Sequence, residues 1–461
     1  MKPGLVALLA ALAMVVGLGA ATSPTATVED TRPNIVLITT DDMTDYELDY
    51  MPQTQQLLRD QGYAFTDFLS QHPMCCPARA QLFTGQYAQN NGVRHNRGRW
   101  GGNALTQPNN NVGRWLQRGG YRTAFVGKFL NGFNRFPVAG WDHFNHSLRP
   151  TIYSPYGLQF SEDPEIPGDV YTADYLGDKT VEYVNEFAGE GGPFFIWASH
   201  VAPHSMKIGR RWVGAVPATR HEQTPVPDPP FLAKSSFNEP DVRDKPKYLR
   251  AVMAKRDRSG VTTQFEQRVR SLQAVDEQVG NLVDALDAAG ELDNTLILFT
   301  SDNGYLLGEH RLAGKNYPYE EALQVPMLAR GPGFPVGSTA KTMTTVDVAA
   351  TIADAAGVTP QRVQDGRSML PVAQGTAGGY DDVLIQAGDA DRAWTFRGVR
   401  NRRWTYTEHR ISGEVEWYDR ATDPFQLQNL AGTRPRKQAR LAADLAALAD
   451  CAGSACYGGA P

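Results

Sequence analysis

The stretch that decides the fold is Asn34-Ile-Val-Leu-Ile-Thr-Thr-Asp-Asp42, an unbroken apolar run that ends in two aspartates. Such a run is typical of a strand buried on both faces of a sheet, with polar residues where the chain leaves the sheet. Four further runs have the same form and are predicted to be buried strands. They span residues 122–127, 193–199, 295–300 and 325–330, and lead to Lys128, His200, Asp302-Asn303 and Gly331-Pro332-Gly333.

Helical periods separate these runs. The clearest has apolar residues three or four apart from Phe265 to Leu286, and Gly290 stands where such a helix would stop. Strands that alternate with helices predict an α/β fold, with a mostly parallel sheet and helices on both of its faces. Ligands bind beyond the carboxyl ends of the strands in such sheets, and the polar residues of this chain cluster there.

The composition excludes several classes of protein. The chain has 461 residues, 41% of them hydrophobic, so disorder is excluded as the dominant state and a large core is expected. Forty-five Lys and Arg residues stand against 50 Asp and Glu residues, for a net charge of −5. This balance gives no global field for a nucleic-acid backbone, so nucleic acid is excluded as a partner.

The pattern changes twice along the chain. Residues 207–260 are rich in proline and charge, which is typical of a functional loop or lid, with a remote surface insertion as the alternative. After Pro371 the apolar runs become short, and they predict antiparallel strands followed by a helix over 437–448. We therefore expect a catalytic domain over residues 33–371 and a small C-terminal antiparallel subdomain over residues 380–450.

The N-terminus is typical of an export signal. Lys2 precedes an apolar stretch over residues 5–18, and Gly19-Ala20-Ala21 offers small residues for cleavage. The prediction is a signal peptide over residues 1–21 and a secreted, extracellular protein with no stable membrane association after cleavage. An uncleaved anchor is the alternative, although the stretch is short for a membrane span. Export permits disulfides, and the closely spaced Cys451 and Cys456 are predicted to pair, whereas the adjacent Cys75 and Cys76 are not.

Two clusters have the chemistry of a site. Asp41-Asp42 and Asp302-Asn303 offer hard oxygen ligands of the kind that Ca²⁺ or Mg²⁺ prefers, with ordinary turn chemistry as the alternative. The Cys75-Cys-Pro-Ala-Arg79 stretch opens a helix-like run, so Cys75 could be a nucleophile at a helix N-terminus, with Arg79 one turn further on. The alternative is a pair of small buried hydrophobic residues beside a structural arginine.

Together these stretches resemble the sulfatase family. The resemblance rests on Cys75-x-Pro77-x-Arg79 with Thr84-Gly85, on Asn34–Asp42, on Gly127-Lys128 and on Asp302-Asn303-Gly304, in the family's order. Gly308-Glu309-His310 with Lys315, Asp365-Gly-Arg-Ser368 and Arg397-Gly-Val-Arg400 extend it over about residues 33–432. It implies an alkaline-phosphatase-like αβα fold and a secreted sulfatase that releases inorganic sulfate from an aryl sulfate or a sulfated sugar.

The resemblance also implies a site and its cofactors. One divalent cation, Ca²⁺, would be held by Asp41, Asp42, Asp302, Asn303 and Cys75, the last oxidised to formylglycine by a formylglycine-generating enzyme. The hydrated aldehyde would be the nucleophile. The other catalytic residues implied are Arg79, Lys128, Lys315, His204 and His310, of which His204 is the first choice for protonating the leaving oxygen.

The match has departures. Leu130 stands where many sulfatases have a histidine, and Ala78 replaces a common serine of the signature. The Gly-Lys-Phe-Leu-Asn131 form and Ala202-Pro-His204 resemble the branch of N-acetylglucosamine-6-sulfatases and arylsulfatases. Two other functions stay open at this point: a phosphodiesterase or phosphonate monoester hydrolase of the same superfamily, and a binder of sulfated glycans without catalysis.

Overall fold

The central feature of the fold is one eight-stranded sheet. The computed structural model describes Met1 and residues 30–148 and 153–458, so the expected signal peptide lies outside the described residues apart from Met1. The strands are β1 Asn34–Thr40, β2 Tyr63–Phe65, β3 Phe68–Leu69, β4 Arg122–Gly127, β5 His143–His146, β6 Phe194–Ser199, β7 Met206–Ile208, β8 Arg211–Val213, β9 Thr295–Ser301, β10 Leu306–Leu307, β11 Ala313–Gly314, β12 Met327–Arg330, β13 Gly337–Thr339, β14 Met343–Thr344, β15 Asp382–Ala387, β16 Phe396–Asn401, β17 Trp404–His409 and β18 Val415–Asp419.

Helices of very different length connect these strands. They are α1 Pro52–Thr54, α2 Cys75–Thr84, α3 Ala88–Asn91, α4 Val112–Arg118, α5 Thr172–Glu190, α6 Lys247–Arg250, α7 Arg258–Ala288, α8 Glu320–Leu323, α9 Val346–Ala355, α10 Leu370–Ala373 and α11 Pro435–Leu448. The predicted stop of the long helix is confirmed, because α7 ends at Ala288 and Gly290 follows with a left-handed φ of 74°.

The order of strands in the large sheet is β13-β2-β12-β9-β1-β6-β4-β5. Strand β1, which precedes the Asp41-Asp42 pair, lies between β6 and β9 and runs parallel to both. The predicted strand over 325–330 is present as β12, but it runs antiparallel to β9, so the sheet is mixed and mostly parallel. The short strands β2, β5 and β13 were not predicted.

Side chains of each central strand alternate between two hydrophobic clusters, as the period of a strand requires. Ile35 and Leu37 point to one cluster, which includes residues of α2, α4 and α9. Val36 and Ile38 point to the other, which includes residues of α5 and α7. The molecule therefore has the three layers that the sequence predicted, with a sheet between two layers of helices.

A second, four-stranded antiparallel sheet follows in the sequence, in the order β15-β16-β17-β18. Trp417, Leu441 and Leu445 pack α11 against it, and the predicted Cys451–Cys456 disulfide follows this helix. The fold class is thus confirmed, including the small C-terminal antiparallel sheet. The domain boundaries at residues 371 and 380 stay a prediction.

Candidate active site

The register of the central strands brings four polar strand ends to one edge of the sheet. Thr40 of β1 is opposite Ser301 of β9, and Ser199 of β6 is opposite both Thr39 and Gly127. The residues that follow these positions are Asp41, Asp302, His200 and Lys128. The pairing of parallel strands therefore assembles a site from segments that are distant in the sequence.

The turn after β1 presents two carboxylates side by side. Asp42 has a left-handed φ of 72°, which costs a non-glycine residue about 1 kcal/mol. Two contacts hold this turn: the Asp42 N–H donates to Asp302 Oδ1 at 3.1 Å, and Arg268 Nη2 donates to the Asp42 carbonyl oxygen at 2.5 Å. Arg268 is itself fixed by the buried Glu47, with an Nε–Oε1 distance of 2.6 Å.

Cys75 is the first residue of α2 and faces these carboxylates. Its Sγ lies 3.3 Å from Asp41 Oδ1 and 4.0 Å from Asp42 Oδ1, and Lys315 Nζ lies 2.6 Å from the same sulfur. Burial, helped by the charge of Asp41, raises the pKa of the Cys75 thiol to about 12. The thiol is therefore protonated at neutral pH, and in that form it is a poor nucleophile.

Arg79 lies one turn further along α2, on the same face as Cys75. Its Nε donates to Asp302 Oδ2 at 2.7 Å, and its Nη1 donates to the carbonyl oxygen of Lys128 at 2.8 Å and also contacts Ser199. The Arg79 side chain is 1% exposed. Arg79 thus ties the signature helix to the ends of β4, β6 and β9.

Lys128 and Lys315 approach the two aspartates from different segments. Lys128 Nζ contacts Asp41 Oδ2, and Lys315 Nζ contacts Asp42 Oδ1. Burial would raise the pKa of Asp41, but Lys128, His204, Arg79 and Lys315 together hold it far below its usual value. For Asp42, Lys315 and His204 likewise outweigh burial and lower the pKa. Both carboxylates are therefore ionised over the physiological pH range.

Asp302 and Asn303 complete the oxygen-rich side of the site. Burial and the neighbouring Asp41 raise the pKa of Asp302 to about 6. Asn303 Nδ2 donates to Asp42 Oδ1 at 2.7 Å, while Asn303 Oδ1 is buried and accepts no hydrogen bond from the described residues. An unsatisfied buried carbonyl oxygen beside three carboxylates fits a hard divalent cation, because such cations prefer oxygen ligands.

His204 joins this group from the loop after β6. Its Nε2 lies 3.5 Å from Asp42 Oδ2, and its Nδ1 lies 2.6 Å from the carbonyl oxygen of Ser205. A ligand atom of His204 lies within 4.8 Å of those of Asp41, Asp42 and Cys75. Burial lowers the pKa of His204 to about 4, so the ring is neutral at pH 7. The Ser205 carbonyl assigns the proton to Nδ1 and leaves Nε2 free to accept one.

His310, which the sequence predicted as a catalytic residue, makes its described contacts with residues outside this group. It is 1% exposed, its Nδ1 lies 2.7 Å from Glu239 Oε2, and its ring stacks on Tyr319 with centroids 4.1 Å apart. These contacts tie His310 to the loop around Glu239. His310 does not line the cavity that opens from the site. His310 is therefore placed as a residue that orders its loop.

A cavity of about 590 Å³ opens from the site to the surface. Asp42, His204 and Lys315 line its inner end. The other lining residues come from the loop after β6, from the hairpin β7–β8 and the residue after it, from α7 and from the segments after β9; they are Ser205, Trp212, Val213, Gly214, Gly260, Thr263, Gln264, Gln267, Tyr305 and Gly314. Part of the proline-rich segment 207–260 therefore does line the site, and the described lining includes no residue of the C-terminal sheet.

Sequence reasoning missed three residues that hold the site together. Arg268 supports the Asp42 turn, Ser199 accepts from Arg79, and Tyr153 stacks on His204 with ring centroids 4.6 Å apart. Ser199 had a signal, because it ends a predicted strand next to His200. Arg268 and Tyr153 had none, since their partners lie more than 50 residues away in the sequence.

The chain matches the sulfatase family over residues 33–358, and the C-terminal region of N-sulphoglucosamine sulphohydrolase over residues 308–449. A solved complex with D-glucosamine-2-N,6-O-disulfate, the substrate of that protein, superposes with a TM-score of 0.73 at 22% identity, over 90% of this chain and 97% of that one. A phosphonate monoester hydrolase from Silicibacter pomeroyi gives a TM-score of 0.70 at 19% identity, over 89% of this chain and 93% of that one.

The sequence relatives carry the match over most of the chain. An arylsulfatase of Volvox carteri is 30% identical over 94% of this chain and 77% of its own. The human N-acetylglucosamine-6-sulfatase is 30% identical over 77% of this chain and 67% of its own. An extracellular sulfatase homologue of Drosophila melanogaster is 32% identical over 74% of this chain and 31% of its own.

The fold and the strand-edge site define an alkaline-phosphatase-like hydrolase. Within that class the chain belongs to the sulfatase family, and it is a sulfuric ester hydrolase. The family generally uses a metal ion and a formylglycine residue, and its relatives include extracellular enzymes. Among the described residues, every helix is too short or too polar to cross a membrane.

Proposed function

We propose that this sulfatase is exported and hydrolyses the sulfate ester of a sugar, with a formylglycine made from Cys75 and one bound Ca²⁺. The observation that carries the proposal is the position of the Cys75 Sγ. It contacts Asp41 and Lys315, and Lys315 lines the cavity. An oxygen nucleophile at the position of Cys75 Sγ would therefore contact both the cation site and the substrate.

The charges of the pocket favour an anionic substrate once a divalent cation is bound. Three carboxylates, of Asp41, Asp42 and Asp302, face three cationic side chains, of Arg79, Lys128 and Lys315. A divalent cation adds two positive charges to this balanced set. Lys128 and Lys315 are then available to neutralise the charge that spreads over the sulfate oxygens as the S–O bond breaks, while Arg79 holds Asp302 in place.

The ligands that would hold the cation are Asp41, Asp42, Asp302 and Asn303, together with the formylglycine proposed at Cys75. When bound, the cation supplies Lewis-acid activation of the sulfate oxygens. The orphaned Asn303 Oδ1 and the depressed pKa values of Asp41 and Asp42 support this set, because the carboxylates are ready to bind without losing a proton. The all-oxygen ligand set suits a hard divalent cation, and the resemblance to the sulfatase family implies that this cation is calcium.

Formylglycine at position 75 supplies, when hydrated, an oxygen nucleophile that the protonated thiol of Cys75 lacks. Asp41 Oδ1 is within reach of a group at this position to accept a proton, since it lies 3.3 Å from Sγ. Lys315 Nζ, 2.6 Å from Sγ, is placed to stabilise negative charge on the same group. The maturation partner is a formylglycine-generating enzyme that recognises residues 75–79.

His204 is the proton carrier for the leaving oxygen. The Ser205 carbonyl holds its Nδ1–H, so the proton passed to the leaving oxygen is one that Nε2 must first bind. The resulting positive charge on the ring is favoured by the bound anionic sulfate ester. Tyr153 stacks on the ring and fixes its plane. His310 takes no part in this step, because its Nδ1 is held by Glu239 and its ring is covered by Tyr319.

The substrate is a sulfated sugar such as N-acetylglucosamine 6-sulfate, which relatives of this chain are named for. The test is release of inorganic sulfate from sulfated monosaccharides by purified protein whose signature peptide has been checked by mass. Sulfate release supports the proposal. Hydrolysis of an aryl phosphodiester or a phosphonate monoester at a higher kcat/KM than any sulfate ester would contradict it.

A further inference from the structure

The described residues that line the outer part of the cavity are uncharged. Beyond Asp42, His204 and Lys315 at its inner end, its lining consists of small residues, neutral polar side chains and aromatic rings. A group that carries a second sulfate or a carboxylate would therefore find no cationic partner among the described lining residues there. The cavity fits an uncharged body attached to the sulfate that the inner end binds.

One wall of the outer cavity is a polar stripe on α7. Gly260, Thr263, Gln264 and Gln267 are spaced three and four residues apart, so they lie on one face of the helix. The side-chain amides of Gln264 and Gln267 make no hydrogen bond to other described residues and are only partly buried. Each amide offers a donor and an acceptor, which suits the hydroxyl and acetamido groups of a sugar.

The facing wall comes from the hairpin β7–β8. Trp212 of this hairpin is 53% exposed, which is unusual for so large an apolar side chain. Its ring centroid is 5.1 Å from that of Tyr153 and 6.1 Å from that of His204, so the rings continue from the proton carrier to the cavity mouth. Lys207 Nζ, outside the lining, lies 4.9 Å from the Trp212 centroid and helps to orient it.

The two walls are packed against each other at the hairpin end. A Cβ added at Gly214 would lie 2.1 Å from Gln267 Oε1, so the hairpin backbone and the α7 stripe are in direct contact there. The separation of the aromatic wall and the amide wall is thus fixed by the fold at this end of the cavity.

We propose that this outer cavity is a subsite for one uncharged pyranose ring, stacked on Trp212 and hydrogen-bonded by Gln264 and Gln267. This inference rests on the proposed function, because the ring in question is the one that carries the sulfate. Apolar C–H groups of a pyranose face bury well against an indole, while its equatorial hydroxyls point sideways to the amides. The enzyme would therefore select singly sulfated, otherwise neutral sugars.

The experiment compares three substrates on the mature enzyme. The first is a neutral sugar sulfate, chosen as the best substrate among N-acetylglucosamine 6-sulfate, N-acetylgalactosamine 6-sulfate and galactose 6-sulfate. The second is glucosamine 2-N,6-O-disulfate, and the third is 4-nitrophenyl sulfate. For the wild type, kcat/KM is expected to be higher for the neutral sugar sulfate than for the disulfate. The ratio of kcat/KM for the sugar sulfate to that for the aryl sulfate is expected to fall about tenfold in Trp212→Ala. It should also fall in Gln264→Ala and Gln267→Ala.

Ile208→Ala and Thr262→Ala are matched controls, since these residues belong to the same hairpin and the same helix but do not line the cavity. Both are expected to keep the wild-type ratio. A preference for the disulfate, or an unchanged ratio in Trp212→Ala, would overturn the subsite while leaving the sulfatase assignment intact.

Direct binding separates this inference from the proposed function. Calorimetry on Cys75→Ala, with the chosen sugar sulfate as ligand, is expected to show binding that Trp212→Ala weakens about tenfold in the same background. Equal affinities would overturn the subsite. If the wild type released no sulfate from any ester, the proposed function would fail, and the binding comparison would still decide the subsite.

Discussion

At the residue scale, the site is a small, largely buried volume in which opposite charges are packed together. Asp41 and Lys128 are each 0% exposed, and Arg79 is 1% exposed. Charges buried in this way are tolerated only as partners, and removing one of them leaves the other uncompensated. Substitutions here should therefore change both chemistry and stability, and each test needs a stability measurement beside the activity assay.

The first prediction concerns the two adjacent cysteines. Cys75→Ala and Cys75→Ser should abolish turnover and leave the fold intact, because each keeps a small side chain but removes the precursor of the nucleophile. Cys76→Ala should keep activity within about threefold, since the Cys76 Sγ faces the Asn131 carbonyl oxygen at 3.8 Å, away from the carboxylates. Equal damage from the two changes would favour a purely structural cysteine pair.

Mass spectrometry of the signature peptide checks the same prediction. Conversion of the Cys75 thiol to an aldehyde lowers the mass by about 18 Da. An active preparation that contains only the unmodified peptide would rule out the formylglycine nucleophile.

Lys315→Ala should lower kcat by about 100- to 1,000-fold, because a fixed positive charge beside the reacting group is lost from a site with little water. Lys179→Ala is a suitable control, since Lys179 pairs with Glu182 on the surface of α5. The measurement is steady-state kinetics on an aryl sulfate. A loss below about threefold would remove Lys315 from the catalytic group.

How far the sequence predicted the site depends on what each residue touches. Asp41, Asp302 and Lys128 follow strands, and strand ends can be located from apolar runs. Arg268 could not be found in this way, because its role depends on the backbone turn at Asp42, 226 positions away. His310 shares a motif with Lys315, but the motif does not determine where its ring points. The backbone of His310 has a left-handed φ of 51°, and its ring is turned into its own loop, where it contacts Glu239.

At the element scale, long buried strands and helices were predictable and short ones were not. β1, β4, β6 and β9 have unbroken apolar runs, so their positions were predicted to within one or two residues. β2 and β13 have three residues each, too few to show a period. The direction of β12 depends on its tertiary connection to β9, which no local pattern encodes.

Gly127 offers a test of how strand pairing positions Lys128. Its φ is 120°, and a Cβ there would lie 2.0 Å from the Ser199 carbonyl oxygen. Gly127→Ala should therefore lower the free energy of unfolding by at least about 3 kcal/mol. Gly290→Ala, where φ is 74° and no atom lies within 4 Å of the added Cβ, should cost only about 1 kcal/mol. Denaturant unfolding measures both, and equal costs would contradict the close approach.

At the scale of the whole molecule, the cation should couple distant strand ends. Chelation of divalent cations is expected to stop sulfate release and to lower Tm, because an ion bound only by the native state stabilises it. Added Ca²⁺ should restore both, and Asn303→Ala should weaken the Tm shift. A chelated protein with unchanged activity and Tm would contradict a functional cation site.

A pH-dependent loss of stability should come from the buried His72. Burial lowers its pKa to about 3, whereas the unfolded chain has a value near 6.5. Between these values the unfolded state binds more protons than the native state, so stability falls as the pH is lowered from about 6.5 toward 4, by about 3 kcal/mol. His72→Gln should flatten this slope. Urea unfolding at several pH values tests it, and parallel slopes in the two proteins would contradict it.

The burial of α2 has a consequence for how an active molecule comes into being. All ten residues from Cys75 to Thr84 are buried, so a second protein cannot read the Cys75–Arg79 stretch once the chain is folded. The conversion of Cys75 to formylglycine that we propose must therefore act on an extended segment before the helix docks. Conversion of Cys75 and folding of the chain then compete in time. A molecule that folds before conversion keeps its thiol permanently. The specific activity of a preparation would thus depend on the fraction of molecules that were converted before folding. A higher expression level would not give a proportional increase in active enzyme.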